Sequence, residues 1–183
     1  MASHRLAAVL LGLLLTVSVP LAAGPSPQEP PAAPSWKPFQ EFDFLLGSWT
    51  GTAESGRRLG GAVTQVTTEM NGNYVRLSAM KIFPAQEGRP EETVEEIGTF
   101  YYDRDKRRYE AQFVFSPGIV GVFEVETADG SLKLTSRELI NHDSGSRSRI
   151  LLKKTAEGLS YTIEIATAGK EFVPVYVTRQ TRK

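Results

Sequence analysis

Apolar and polar residues alternate along most of this chain with a period of two. Tyr109, Ala111, Phe113 and Phe115 fall on one face, against Glu110, Gln112 and Val114. Leu159, Tyr161, Ile163 and Ile165 repeat the pattern against Ser160, Thr162 and Glu164. Successive side chains of an extended strand point to opposite faces, so such runs predict half-buried strands. The pattern recurs at roughly ten- to twelve-residue intervals, the spacing of a β-meander. It predicts strands over 48–54, 62–70, 73–83, 93–102, 108–115, 120–127, 132–138, 146–153, 159–167 and 171–179. Between them, Asn71-Gly72-Asn73, Ala128-Asp129-Gly130, Glu157-Gly158 and Ala168-Gly169-Lys170 supply residues that tolerate the left-handed backbone of tight turns. Only the segment 39–46 has a helical look, a short turn ahead of Gly47 and Trp49.

Successive antiparallel strands joined by short turns can close on themselves, which removes exposed edges. The expected fold is therefore mostly β, a single antiparallel up-and-down barrel of about ten strands over residues 39–183. A barrel of that size has room for one small ligand. Gly47 lets the chain turn into the first strand, Trp49 plugs one end, and Arg179 on the last strand is placed to stack on it.

The N-terminus alters the picture of where such a barrel works. A nearly unbroken apolar run from Leu6 to Val19 follows His4 and Arg5 and ends at Pro20-Leu21-Ala22-Ala23. It is short for a membrane span and has small residues at its end, so residues 1–23 read as a cleaved export signal, leaving no stable membrane span. Residues 24–38 hold six prolines and read as a disordered spacer. The expected location is periplasmic or extracellular. With no cysteine, export is not used to staple the fold. Charge is balanced, 21 basic against 21 acidic residues, which argues against nucleic acid as a partner.

Little in the sequence points to catalysis. His142-Asp143-Ser144 has the residue types of a hydrolase triad, but consecutive side chains cannot form the relay, and no Gly-x-Ser-x-Gly elbow occurs. Glu91-Glu92 and Glu95-Glu96 read as a solvated acidic face. Asp103-Arg104-Asp105 lacks the later residues of a calcium loop and reads as an aspartate-capped hairpin, so no metal site is expected. Lys106-Arg107-Arg108 reads as a solvated basic turn. The strand from Phe172 to Val177 is apolar on both faces; its outer face calls for cover by the N-terminal segment or a partner chain, which makes a homodimer one expectation.

The segment Phe44-Leu45-Leu46-Gly47-Ser48-Trp49-Thr50-Gly51 resembles the opening of calycin-like barrels, the group of lipocalins, fatty-acid-binding proteins and nitrobindin-type haem barrels. Gly98-Thr99-Phe100-Tyr101-Tyr102-Asp103 with Lys106-Arg107-Arg108-Tyr109, and Phe172-Val173-Pro174-Val175 to Lys183, resemble a family of bacterial exported proteins within that group. The resemblance implies a lipocalin-like barrel and little more; on the reading of the strands, Leu77, Phe100, Phe113, Phe123, Tyr161, Ile163 and Tyr176 are the candidate lining of a ligand site in its interior. The group's nitrobindin branch implies haem held through a histidine. His142, in a polar turn, is the one histidine beyond the apolar N-terminal run, and it reads as a solvated loop residue. The functional expectation is non-covalent binding of a small apolar or amphipathic molecule. The alternatives are a haem-binding barrel or a filled barrel that works through its outer surface.

Overall fold

The structure, a computed structural model of this chain, describes residues 39–183. The expected signal, residues 1–23, and the proline-rich spacer, residues 24–38, lie outside the described residues. From Gly47 onward the chain forms a closed antiparallel barrel of ten strands: β1 (Gly47–Ser55), β2 (Arg58–Glu69), β3 (Tyr74–Phe83), β4 (Glu92–Asp103), β5 (Arg108–Phe115), β6 (Ile119–Ala128), β7 (Ser131–Ile140), β8 (Arg147–Lys154), β9 (Leu159–Ala166) and β10 (Val173–Arg182). Each strand pairs with its sequence neighbours, and β10 returns to pair with β1. All ten expected strands are present. β2 starts earlier than its alternation indicates because Gly60 and Gly61, which resemble a turn, lie inside it; a Cβ on Gly60 would sit 2.2 Å from the Ile82 carbonyl oxygen, so only glycine fits that close approach.

The period-two pattern places one face of each strand inside. On β3, Val75, Leu77, Ala79, Lys81 and Phe83 are buried, and on β4, Val94, Glu96, Gly98 and Phe100. One end of the barrel is closed by the segment before β1. It makes a 3-10 turn over Gln40–Phe42, and the amide of Leu45 continues the turn by donating to the Phe42 carbonyl at 2.9 Å. This turn drops Phe39, Phe42 and Leu45 into the barrel end, where all three are buried. Phe42 lies edge-on to Phe100 at 5.3 Å and to Tyr109 at 5.1 Å between centroids. Phe100 continues to Phe113, and Phe113 to Phe123, at 5.6 Å each. Burying rings of this kind stabilises the fold by about 1.5–3 kcal/mol each.

Trp49 completes the closed end, 5% exposed, its indole N–H donating to the Leu45 carbonyl at 2.7 Å. Gly47 ahead of it has φ +120°, a conformation that a side chain would strain. The cation over Trp49 is Arg182, not Arg179. In the β1–β10 register Trp49 faces Arg182, while Arg179 faces Thr52. Arg179 therefore points outward and pairs with Glu54.

Candidate functional site

The opposite end of the barrel is open. Inward residues near the starts of β4, β6, β8 and β10 and the ends of β5, β7 and β9 converge there on a cavity of about 270 Å³. Val94, Phe115, Ile119, Leu139, Ile163, Ile165, Val175 and Tyr176 give it an apolar wall, with Ser116, Pro117, His142 and Ser148 at its border. Its volume lies just below the roughly 300–1,000 Å³ of pockets for drug-sized ligands, so its occupant would be small. Two larger depressions of about 390 and 450 Å³ flank the closed end. They are lined largely by exposed residues such as Glu41, Asp129, Glu157 and Thr181.

Below the mouth lies a polar network. Lys81 and Glu96 form an ion pair with side chains 1% and 0% exposed. The Tyr161 hydroxyl donates to the second Glu96 oxygen, Oε2, at 2.7 Å. The Lys81 ammonium also lies 4.8 Å from the Tyr161 ring centre and 5.6 Å from that of Tyr176. Tyr176 packs against Phe83 at 5.9 Å and donates to Glu92 Oε1 at 3.4 Å. Glu92 in turn pairs with Arg58, whose guanidinium also donates to the carbonyls of Phe83 and Pro90 at 3.3 and 3.2 Å. Deeper, Gln180 Nε2 donates to Thr64 Oγ1 at 3.0 Å. The interior thus has an aromatic side on β4 to β6 and a polar side reaching from β2 to β4 and across β9 and β10.

These contacts hold protons in place. Burial pushes the Tyr161 phenol well above its ordinary range, and the charge and hydrogen bond of Glu96 push the same way. Burial, then Glu92, raises Tyr176. Bringing two charges out of water is costly, and only a close pair with its remaining hydrogen bonds satisfied offsets that cost. Glu96 meets this condition through Lys81 and Tyr161.

The reading of the acidic run as a solvated face holds for Glu91 and Glu95 and in part for Glu92, and is corrected at Glu96, which is buried. Positions 92, 94, 96, 98 and 100 share one side of β4, so Glu96 faces inward with Val94 and Phe100 and Glu92 lies partly exposed at the strand's start, whereas 93, 95 and 97 are exposed. The signal was the alternation itself, carried one step back from Gly98 to Glu96. Lys81 shares the parity of Leu77 and Ala79 in the same way.

The candidate lining residues fall into three groups. Ile163 and Tyr176 line the mouth cavity. Tyr161 is fully buried in the polar network. Leu77, Phe100, Phe113 and Phe123 are also fully buried, within the packed core, and do not line the mouth cavity. His142 is half-buried at the cavity border rather than a fully solvated loop residue, because the turn from β7 to β8 folds over the barrel mouth.

A haem held through histidine fits these residues poorly. His142 is the one histidine among the described residues, and its Nδ1 accepts the Asp143 amide at 2.8 Å. A neutral imidazole that accepts at Nδ1 carries its proton on Nε2, leaving no free ring lone pair, whereas a ligating histidine donates from its other nitrogen. Among the described residues no group of three or more His, Asp or Glu side chains is placed to hold a metal ion.

On the outer surface, Glu110 is nearly enclosed by charge. Its oxygens accept from Lys106, Arg108, Tyr101 and Arg137 at 2.9–3.1 Å. Burial works to raise its carboxyl, but the hydrogen bonds from Lys106, Arg108 and Tyr101 prevail and lower it. Asp103 caps its turn by accepting the amides of Asp105 and Lys106 at 3.0 and 2.9 Å. The basic turn is thus largely neutralised by its own neighbours. Ahead of β10, Phe172 lies under the guanidinium groups of Arg147 and Arg149, 5.1 and 4.4 Å from its ring centre, so part of the apolar surface expected to need a partner is covered within the chain.

No protein-family model matches the sequence, and no curated protein does. Among solved structures the barrel is similar to the crystal structure of Rv2717c from M. tuberculosis, with a TM-score of 0.56 over 79% of this chain and 96% of that one at 13% identity. At that identity the likeness is one of fold. Among the described residues no helix is long and apolar enough to cross a membrane.

Proposed function

We propose that the protein is an exported barrel that holds one small, mainly apolar molecule at its open end. The observation that carries this reading is the mouth cavity of about 270 Å³, walled by side chains such as Val94, Phe115, Ile165 and Tyr176. Concave apolar sites with a few polar groups at the rim are where small ligands bind, and here Ser148 and His142 supply the rim. The apolar run from Leu6 to Val19 ahead of Ala22-Ala23 supports export. The aromatic core below the mouth confines the ligand to the open end.

A naphthalene-type fluorescent probe tests it. Binding at about micromolar Kd, roughly −8 kcal/mol, is expected of a modest apolar pocket. Ile165→Trp fills the cavity from a half-buried position and should abolish probe binding with little change in Tm. A folded wild-type protein that excludes such probes would sink the proposal.

One observation favours a second reading, a barrel acting through its outside. Ile97, Val114, Val120 and Ile140 stand directly opposite one another across β4, β5, β6 and β7, and Ile97, Val114 and Ile140 are each more than two-fifths exposed. Exclusion of all apolar probes by the folded barrel would make this row the surface to mutate.

A further inference from the structure

The barrel interior contains an amine that ligand binding at the mouth does not use. Lys81 is the buried lysine among the described residues, and it lies close to an aromatic ring that lines the cavity. Tyr176 lines the cavity, and its ring centre is 5.6 Å from the Lys81 nitrogen. We infer that Lys81 captures the carbonyl group of an aldehyde or ketone whose apolar part occupies the mouth cavity, forming a reversible iminium; this rests on the cavity being a ligand site.

The first support is access. The hydroxyl of Tyr176 is held to Glu92 at 3.4 Å, beyond the roughly 2.5–3.0 Å of a firm O–H···O bond. The register of β10 on β9 is broken between Pro174 and Tyr176, so the backbone next to the ring is not locked into a regular ladder. Capture requires this ring to rotate, so that the cavity reaches the amine.

The second is proton handling. Glu96 Oε1 faces the Lys81 nitrogen, and Tyr161 fixes the carboxylate by donating to Oε2. Oε1 takes one proton from the ammonium. The freed nitrogen lone pair bonds to the carbonyl carbon as the C=O pair moves onto oxygen, and a second nitrogen-bound proton passes to that oxygen. Glu96 returns its proton to the new hydroxyl, the C–O bond breaks and water leaves as nitrogen forms the C=N bond. One ammonium and one carbonyl give one iminium and one water, with no oxidant or reductant. Lysine amines are the usual nucleophiles for this chemistry.

The third is charge. Nitrogen is cationic before and after the reaction, so Glu96 pairs with both species and no new buried charge is created. The faces of Tyr161 and Tyr176 attract either cation.

The test uses trans-cinnamaldehyde, with cinnamyl alcohol as a probe of similar shape that lacks the carbonyl. Borohydride reduction of the wild-type mixture followed by peptide mapping should find the adduct on Lys81 at about tenfold or more over each of the exposed Lys153, Lys154 and Lys170. The red-shifted absorption of a protonated conjugated imine should accompany it. Lys81→Met combined with Glu96→Gln should lose both signals and still bind cinnamyl alcohol by calorimetry. Adducts confined to exposed lysines, in wild-type protein that binds the alcohol, would overturn carbonyl capture and leave the mouth cavity standing as a ligand site. Binding of neither molecule would overturn both. The wild-type map decides even where the double variant fails to fold.

Discussion

Phe113 occupies the space that a side chain at Gly98 would need. The two residues face each other across β4 and β5, and a Cβ on Gly98 would lie 2.4 Å from the ring of Phe113. Gly98→Ala should therefore destabilise the barrel by about 1–3 kcal/mol, the usual cost of overpacking. Combined with Phe113→Leu it should cost less than the two single losses together, as residues in contact couple. Urea unfolding of the four proteins measures this; strictly additive losses would show that the ring does not fill that space.

At the closed end, Arg182 lies 4.9 Å above the Trp49 ring and donates to the Leu46 carbonyl at 2.8 Å. Trp49→Ala should cost about 3–5 kcal/mol by emptying a buried aromatic site. Arg182→Ala should cost about 0.5–1 kcal/mol, the range of an exposed cation over a ring, and should be non-additive with Trp49→Ala. Arg179→Ala should stay within about 0.5 kcal/mol and be additive with it.

Removing one partner of the interior ion pair should hurt more than removing both. Lys81→Met alone leaves Glu96 charged and buried, a loss of about 3–5 kcal/mol. Adding Glu96→Gln removes that charge and keeps an oxygen for the Tyr161 hydroxyl, so the double variant should recover part of the loss in chemical denaturation. A double variant less stable than Lys81→Met would contradict the pairing.

Alkaline stability should depend on Tyr161. Its phenol is raised well above the ordinary value near 10, so the unfolded chain releases this proton first. Its contribution is complete below about pH 10 and is lost as pH rises towards the folded value. The unfolding free energy should fall with pH in that range, and Tyr161→Phe should make the fall shallower. Equal slopes would mean that the phenol is not held by the fold.

Glu110 acts with the opposite sign. Its carboxyl is lowered from the usual 4.5, so its contribution is complete above that value and is lost as pH falls through the folded one. Glu110→Gln should flatten the acid side of the stability profile. An unchanged acid limb would show that its four donors do not favour the ionised form.

The barrel was legible in the sequence because alternation and turn chemistry are local. Phe113 against Gln112, or Tyr161 against Thr162, needs no knowledge of distant strands. The choice of Arg182 over Arg179 depends on how β10 meets β1, a pairing made between the two ends of the domain, and no local pattern reports it. Lys81 and Glu96 were hidden for another reason: charged residues in an alternating strand suggest the wet face, and their mutual pairing, 15 residues apart, is what makes the dry face tolerable. The mouth cavity depends on where the turns carrying Pro117 and His142 settle, which is tertiary information.

Pairing of β1 with β10 also sets an order of events. Ser48 near the start accepts a hydrogen bond from the amide of Lys183 at 2.9 Å, so the last strand made is the one that seals the first. Until it arrives, β1 and β9 each present an unpaired edge, the surface through which strands of different molecules join. Closure must also wait for contacts of the greatest sequence separation, which form slowly. A chain interrupted before Val173 would remain an open sheet with two adhesive margins, and its fate would be set by how soon another chain met them.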